Sequence, residues 1–399
     1  MISSLGQPGD GLEGRRCVPT REGITNEQHI VAFAAEDLPK PKPSEQVQVA
    51  FASWEMPHLK YQFENPGTDR STRLNILVHL DQRLSDPIAA NEAIECGVLD
   101  MLVAFLDDID QSRVTPDGDV DTHYRLLALK VVYRLSRSTV GRAALAHNGN
   151  ALQALKREET LLSPRCWLTR RTTTLVLLEL SGFAEGAARL FDTGYLEVLY
   201  SRVCVRRSSQ GPVEGRSEVR CDVFEVLSNM VSLGPSDAGK VAASFAGLPM
   251  LIPASPTNST VSSILRFLLE VSLVGVDAKK AVSADSSFTN KIVLLFMSVD
   301  APPSVVDVGW SLAASLTVLV DVKTEVWDAC PDLLDHVIER LTVNRPSQGA
   351  VLRHVIQVLA NLQELPTIRE WFLSHGAAEV LDAIAEEDGQ DATVIQAEN

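Results

Sequence analysis

Residues 131–149, VVYRLSRSTVGRAALAHNG, run from an apolar-periodic segment to a glycine fourteen positions after Leu135. Residues 177–194, LLELSGFAEGAARLFDTG, repeat that pattern, with Gly194 fourteen positions after Leu180. Residues 359–376, LANLQELPTIREWFLSHG, repeat it again between Leu362 and Gly376. Gly149 and Gly194 are 45 residues apart, and Gly194 and Gly376 are 182 apart, close to four such periods. Looser copies fill the interval from Glu218 to Gly247, Val261 to Met297 and Val305 to Leu341. One more precedes them, Arg73 to Leu106 with its glycine at Gly97, giving about seven units of roughly 45 residues.

Within each unit apolar residues recur at intervals of three and four, the period of a helix with one buried face, and strand-like alternation is scarce. A single unit of this size cannot bury its apolar face alone, whereas stacked neighbours build one continuous core. The expected architecture is therefore all-α: an armadillo/HEAT-like, right-handed superhelical solenoid of about seven repeats. The three-helix armadillo form fits better than the two-helix form. A long helix such as Tyr124 to Ser136 is followed by STVGRAALAHNG, a short helix closed by glycine, and then by NALQAL. The recurring glycine is expected at positive φ, where the absence of a Cβ permits a sharp turn.

The chain has 399 residues, 45% of them hydrophobic and only 6% aromatic, so its core is mostly aliphatic. Its 52 acidic against 36 basic side chains leave a formal charge of −16. That balance argues against nucleic acid or an anionic membrane as main partner, since neutralising phosphate needs surplus Lys and Arg. The six cysteines are scattered with no C-x-x-C pair, as expected of isolated thiols in a reducing compartment. MISSLGQPGDGLEGRRC, at the start, contains no apolar segment of a secretory signal, and the apolar run Val308 to Val320 is shorter than the ~20 residues of a membrane span. A cytoplasmic protein is expected. Residues 1–45, ending in the Lys-Pro alternation of Leu38 to Gln46, read as an extended N-terminal arm; 46–385 as the solenoid; 386–399 as an acidic tail. Two polar inserts, Asp107 to Asp121 and Arg206 to Ser217, read as exposed loops.

Motifs that carry chemistry are weak. Gly234-Pro-Ser-Asp-Ala-Gly239-Lys240-Val241 matches a phosphate-binding loop except at its last position, where a hydroxyl should hold Mg²⁺; an inter-helix turn is the better reading. Asp117, Asp119 and Asp121 resemble the start of a calcium loop, but its sixth and twelfth positions are Thr122 and Ala128. Asn258-Ser-Thr260 is a glycosylation sequon without a secretory context. His147 and His375 lie just before turn glycines and read as last-turn helix caps. No catalytic constellation, metal site, cofactor or small-molecule substrate is expected. Charge is polarised, with a basic centre from Lys156 to Arg220 and an acidic end after Glu370.

Armadillo proteins of the importin and catenin kind line a groove with a Trp and, four residues later, an Asn that pairs with a bound peptide backbone. Aligned on the recurrent leucine, the corresponding pairs are Asn75/His79, Lys130/Arg134, Leu175/Glu179, Glu225/Asn229, Arg266/Glu270 and Gln357/Asn361. Spacing of four places each pair on one helix face. Only Asn229 and Asn361 keep the asparagine and none keeps the tryptophan, so a folded partner is expected in the groove rather than an extended peptide.

A more specific resemblance lies in Ala50-Phe-Ala, Thr72-Arg-Leu, LVHLDQRLSDPIAANEAIECGVLDMLVAFLDD (Leu77 to Asp108) and STVGRAALAHNGNALQAL (Ser138 to Leu155). These are similar to the N-terminal repeats of the radial spoke head protein 14 family, armadillo-repeat components of the radial spokes of motile cilia and flagella. The resemblance spans about 46–385 and is specific over 72–155; the insert at 107–121 and the N-terminal arm depart from it. It implies a non-enzymatic assembly element of the axoneme, binding other spoke subunits or dynein-base proteins and supporting regulation of beating. The rival expectation from the fold alone is a soluble adaptor, either a transport receptor or a regulator of a small GTPase.

Overall fold

The computed structural model describes residues 55–111, 119–161, 167–204, 216–251, 260–284, 301–329 and 349–376, with the short pieces 334–335, 337–338 and residue 379. The chain divides into two units, 1–55 and 56–399. The expected boundaries of the arm and of the acidic tail lie outside the described residues. Every regular element among the described residues is helical.

The elements are α1 (Glu55–Glu64), α2 (Arg70–Arg83), α3 (Pro87–Glu95), α4 (Val98–Gln111), α5 (Asp119–Ser136), α6 (Thr139–His147), α7 (Gly149–Leu161), α8 (Trp167–Ser181) and α9 (Ala184–Asp192). There follow α10 (Tyr195–Cys204), α11 (Arg216–Leu233), α12 (Ser236–Ala243), a 3₁₀ turn at Leu248–Leu251, α13 (Val261–Leu273) and α14 (Val276–Val282). The last four are α15 (Pro303–Leu316), α16 (Val320–Ala329), α17 (Gly349–Leu362) and α18 (Pro366–Ser374).

Seven long helices, α2, α5, α8, α11, α13, α15 and α17, pack each on the next in that order. The recurrent leucines and their apolar neighbours, such as Leu80, Leu135, Leu180 and Leu362, lie on the buried side of this ladder. Short helices form a second row, with α6 against both α3 and α9, and α12 against α14. Third helices form another, α4 packing on α7. This is the three-helix repeat expected from the 45-residue period. Tyrosine hydroxyls tie repeats together by donating to backbone carbonyls about one period away: Tyr195 to Leu152 at 2.7 Å and Tyr200 to Ala246 at 2.9 Å. Burial pushes the Tyr195 phenol well above its usual range, which keeps it a neutral donor.

Each short helix starts where local chemistry demands it. Asp86 caps α3 by accepting from the Ile88 N–H at 3.0 Å, and Pro87 occupies the first helical position, where no N–H is needed. Ser138 caps α6 in the same way through the Gly141 N–H at 2.9 Å. The turn that follows the short helix is made by glycine at positive φ at Gly97 (76°), Gly194 (71°), Gly247 (82°) and Gly376 (63°).

Gly149 is the exception and corrects the expectation. Asn148, in extended conformation, ends α6 and caps α7 by accepting from the Ala151 N–H at 2.9 Å, so Gly149 is simply the first residue of α7. The first insert reads as a loop in the sequence, but its two ends are helical: α4 runs to Gln111 and α5 starts at Asp119, with 112–118 outside the described residues. Most of the second insert lies outside the described residues.

Candidate protein-binding face

The six expected pairs lie on α2, α5, α8, α11, α13 and α17, successive members of the long-helix ladder apart from α15. The first members divide by exposure: Asn75, Lys130, Glu225, Arg266 and Gln357 are exposed, while Leu175 is half-buried. The second members lie deeper. His79, Arg134, Glu179, Asn229 and Glu270 are half-buried, and Asn361 is only 7% exposed.

That difference has a cause. In three of the pairs the second member reaches back to the previous long helix, to the residue two positions after that helix's own second member. Arg134 Nε donates to Asp81 at 2.9 Å, and Asn229 Nδ2 to Ser181 Oγ at 3.1 Å. Asn361 Nδ2 donates to Thr317 Oγ1 at 3.0 Å and to the Ala314 carbonyl at 3.1 Å. These side chains register one repeat on the next, and buried polar groups placed between helices need such partners. The outer members other than Leu175 face solvent, and Gln357 Nε2 donates back to Asn361 Oδ1 at 3.0 Å.

α15 supplies a rung that sequence reasoning missed. Ser315 Oγ lies 2.8 Å from Ser272 Oγ, which makes Ser311/Ser315 the pair of this helix. Serine carries no groove signature, but the period does. Arg266/Glu270, Ser311/Ser315 and Gln357/Asn361 follow at 45 and 46 residues. Glu270 has no such rung, because the receiving position on α11 is Val231. Burial pushes its carboxyl above the usual range, partly relieved by the Arg266 guanidinium.

Basic residues on the short helices make further ties between repeats. Lys279 donates to the Ser315 carbonyl at 2.8 Å, and Lys323, 2% exposed, pairs with Glu364. Arg142 lies 3.9 Å from Glu179. On the third-helix row, Arg157 pairs with Asp107.

The weak motifs resolve into packing. In Gly234 to Val241 the residues from Ser236 form α12, and Lys240 is an exposed side chain paired with Asp237 at 3.0 Å on the same helix. Gly239 is buried there because a Cβ would come within 2.2 Å of Val274 Cγ2; this glycine makes room for the next repeat and cradles no phosphate. Asp119 and Asp121 stand in the first turn of α5, not in a calcium loop; Asp117 and Asn258 lie outside the described residues. His147 is the last residue of α6 and its Nε2 sits 3.1 Å from Glu185 of α9. His375 stacks on Trp371 at 4.5 Å as the C-cap of α18. Cys96, Cys204 and Cys221 are free thiols. Among the described residues no His, Cys, Asp and Glu cluster could hold a metal, and no helix is long and apolar enough to cross a membrane. An open cleft of about 450 Å³ lies between the first two repeats beside Asp100, His147 and Asn148, where the Asn148 amide is already spent on Asp100 at 2.8 Å.

No protein-family model matches this chain, and no curated protein matches it. Solved structures do. A crystallised engineered protein is similar over 86% of this chain and 76% of its own, at 18% identity with a TM-score of 0.66. A designed armadillo repeat protein is similar over 77% of this chain and all of its own, at 14% identity with a TM-score of 0.41. At such identities the first likeness speaks to fold alone. The repeat geometry itself makes this chain an all-α solenoid of the armadillo kind.

Proposed function

We propose that this protein is a non-enzymatic scaffold of the axonemal radial spoke, located in the cytoskeleton of motile cilia or flagella. It would bind other spoke subunits and dynein-base proteins and so support the regulation of beating. One observation carries the reading. The residues similar to the radial spoke head protein 14 family include two whole short helices together with the residues that cap them. Leu77 to Asp108 covers the end of α2, all of α3 and most of α4, including the Asp86 cap; Ser138 to Leu155 covers the Ser138 cap, α6 and half of α7. The resemblance thus keeps α3 and α6 intact with the side chains, Asp86 and Ser138, that start them. The exposed outer members of the ladder, Lys130 and Arg266 among them, are the proposed contact positions.

Fractionation of ciliated cells tests this. A tagged full chain should stay with the axoneme through detergent extraction, and its depletion should remove spoke proteins. Release into the detergent-soluble fraction would overturn the ciliary reading and leave the solenoid intact. Lys130→Glu with Arg266→Glu should weaken incorporation without altering the circular-dichroism spectrum, because both side chains are exposed; normal incorporation would remove the ladder face as main interface.

A further inference from the structure

In repeats four to six large apolar side chains are exposed at the turn where a long helix hands over to its short helix; Leu373, 77% exposed near the end of α18, stands apart from them. Leu233 ends α11 at 41% exposure and Leu273 ends α13 at 61%. Val276 opens α14 at 56%, and Val318 and Val320 flank the start of α16 at 54% and 64%. In the first two repeats the same turn is polar, Arg83 to Asp86 and Arg137 to Ser138, and exposes one apolar chain each, Ile88 and Val140. The turns of repeats four to six abut. Val274 packs against Gly239 of α12, and Lys279 of α14 bonds the end of α15. Three successive turns thus set exposed apolar side chains along one row of adjoining repeats, a rim of the kind that marks a contact site.

Carboxylates border it. Asp277 follows Val276, Asp321 follows Val320, and Asp328 lies two turns further along α16; all three are exposed. Lys280 is the exposed cation of α14, while Lys279 and Lys323 are turned inward to Ser315 and Glu364, and Lys240 is spent on Asp237. An acid in the first turn of a helix complements its positive end whether or not a partner is present. The exposed valines and leucines have no such reason to be there.

We infer that the rim from Leu233 to Val320 is a docking surface for a basic amphipathic helix of a partner protein. Long helices packed side by side are spaced by ~8–10 Å, so successive turns recur at about that interval. Seven residues of helix rise ~10.5 Å, so a partner helix laid along the rim sets one apolar residue per heptad on each turn. Lys or Arg beside that stripe meets the carboxylates of α14 and α16, and a helix flanked by acids is repelled. This rests on the reading of the chain as a binding scaffold and not on its ciliary placement, which fails or stands separately by fractionation.

The test is fluorescence anisotropy of the full chain with a helical peptide of about three heptads, carrying Leu at every seventh position and Lys on both flanks, beside a twin with every Lys replaced by Glu. The Lys peptide should bind more weakly as salt rises, and the Glu twin should not bind. Leu273→Ser with Val276→Ser and Val320→Ser should weaken binding on the order of tenfold or more. Asp321→Lys with Asp328→Lys, which touches no core residue, should reverse the preference between the two peptides. Equal binding by wild type and charge-reversed chain, binding of both peptides alike, or binding of neither would overturn the proposal. So would light scattering that shows a dimer dissolved by the triple serine variant, because the rim would then be covered by a second copy.

Discussion

Asn361 stands at the position where a peptide-binding groove presents its asparagine, yet its amide donors are spent on Thr317 and the Ala314 carbonyl inside the fold. Removing it strands two buried acceptors, so Asn361→Ala should cost about 1–3 kcal/mol in urea unfolding. Glu225→Ala, at the exposed outer position of α11, should stay within about 0.5 kcal/mol of wild type. Equal effects would mean that the back-reaching bond does not register the repeats. Glu270, at the rung whose receiving position is Val231, behaves differently, since burial raises its carboxyl above the ordinary 4.5. An acid whose folded value lies above its unfolded one keeps its proton longer in the native state, so its contribution to stability falls as pH rises through that interval. Glu270→Gln removes this penalty. The variant should be the more stable chain at neutral pH, with the gap closing as pH drops below 4.5. Stability curves that run parallel across that range would show that burial does not perturb this carboxyl.

At the level of the helix and its turn, one sequence spacing covers two structures. Gly149 and Gly194 both follow their leucine by fourteen residues, but only Gly194 adopts positive φ. Gly194→Ala should destabilise the chain by about 1–2 kcal/mol, and its Cβ would also crowd Lys156 Nζ at 3.2 Å. Gly149→Ala meets nothing within 4 Å at a helix start and should be neutral or stabilise by up to about 1 kcal/mol. Thermal midpoints that move in the same direction would refute the distinction. Sequence alone does not separate them, because asparagine and threonine both cap helix starts, and only the structure shows Asn148 capping α7 while Thr193 ends α9 with its hydroxyl donating to the Arg189 carbonyl at 2.8 Å. The long helices were readable from their period, since a stacked core imposes the same apolar spacing on every repeat. The rung on α15 was not, because its serines look like any helix surface until two of them face each other across a helix pair. The rim was equally hidden. An exposed valine and a buried one are the same letter, and only the packing of the turns tells them apart.

At the scale of the molecule, the described helices that pack together belong to the same repeat or to adjacent ones, so damage should spread by one repeat and then stop. Lys323 offers a clean place to test this. Its ammonium lies on the short helix of the sixth repeat, nearly inaccessible, while its partner Glu364 follows the long helix of the seventh and keeps two thirds of its surface in water. Glu364→Ala leaves the lysine charge buried without its carboxylate. The pair is neither a surface bridge, worth under about 1 kcal/mol, nor a fully buried one, where loss of a partner costs about 3–5 kcal/mol. A loss between these limits is expected, and hydrogen exchange shows where it falls. Amides of α15 to α18 should exchange faster, in keeping with local opening of the terminal repeats, while those of α2 to α8 keep their wild-type protection. Acceleration along the entire ladder would mean that the chain opens as a single cooperative block. The nearest-neighbour account of its stability, and with it the independence of the rim from the first repeats, would then have to be abandoned.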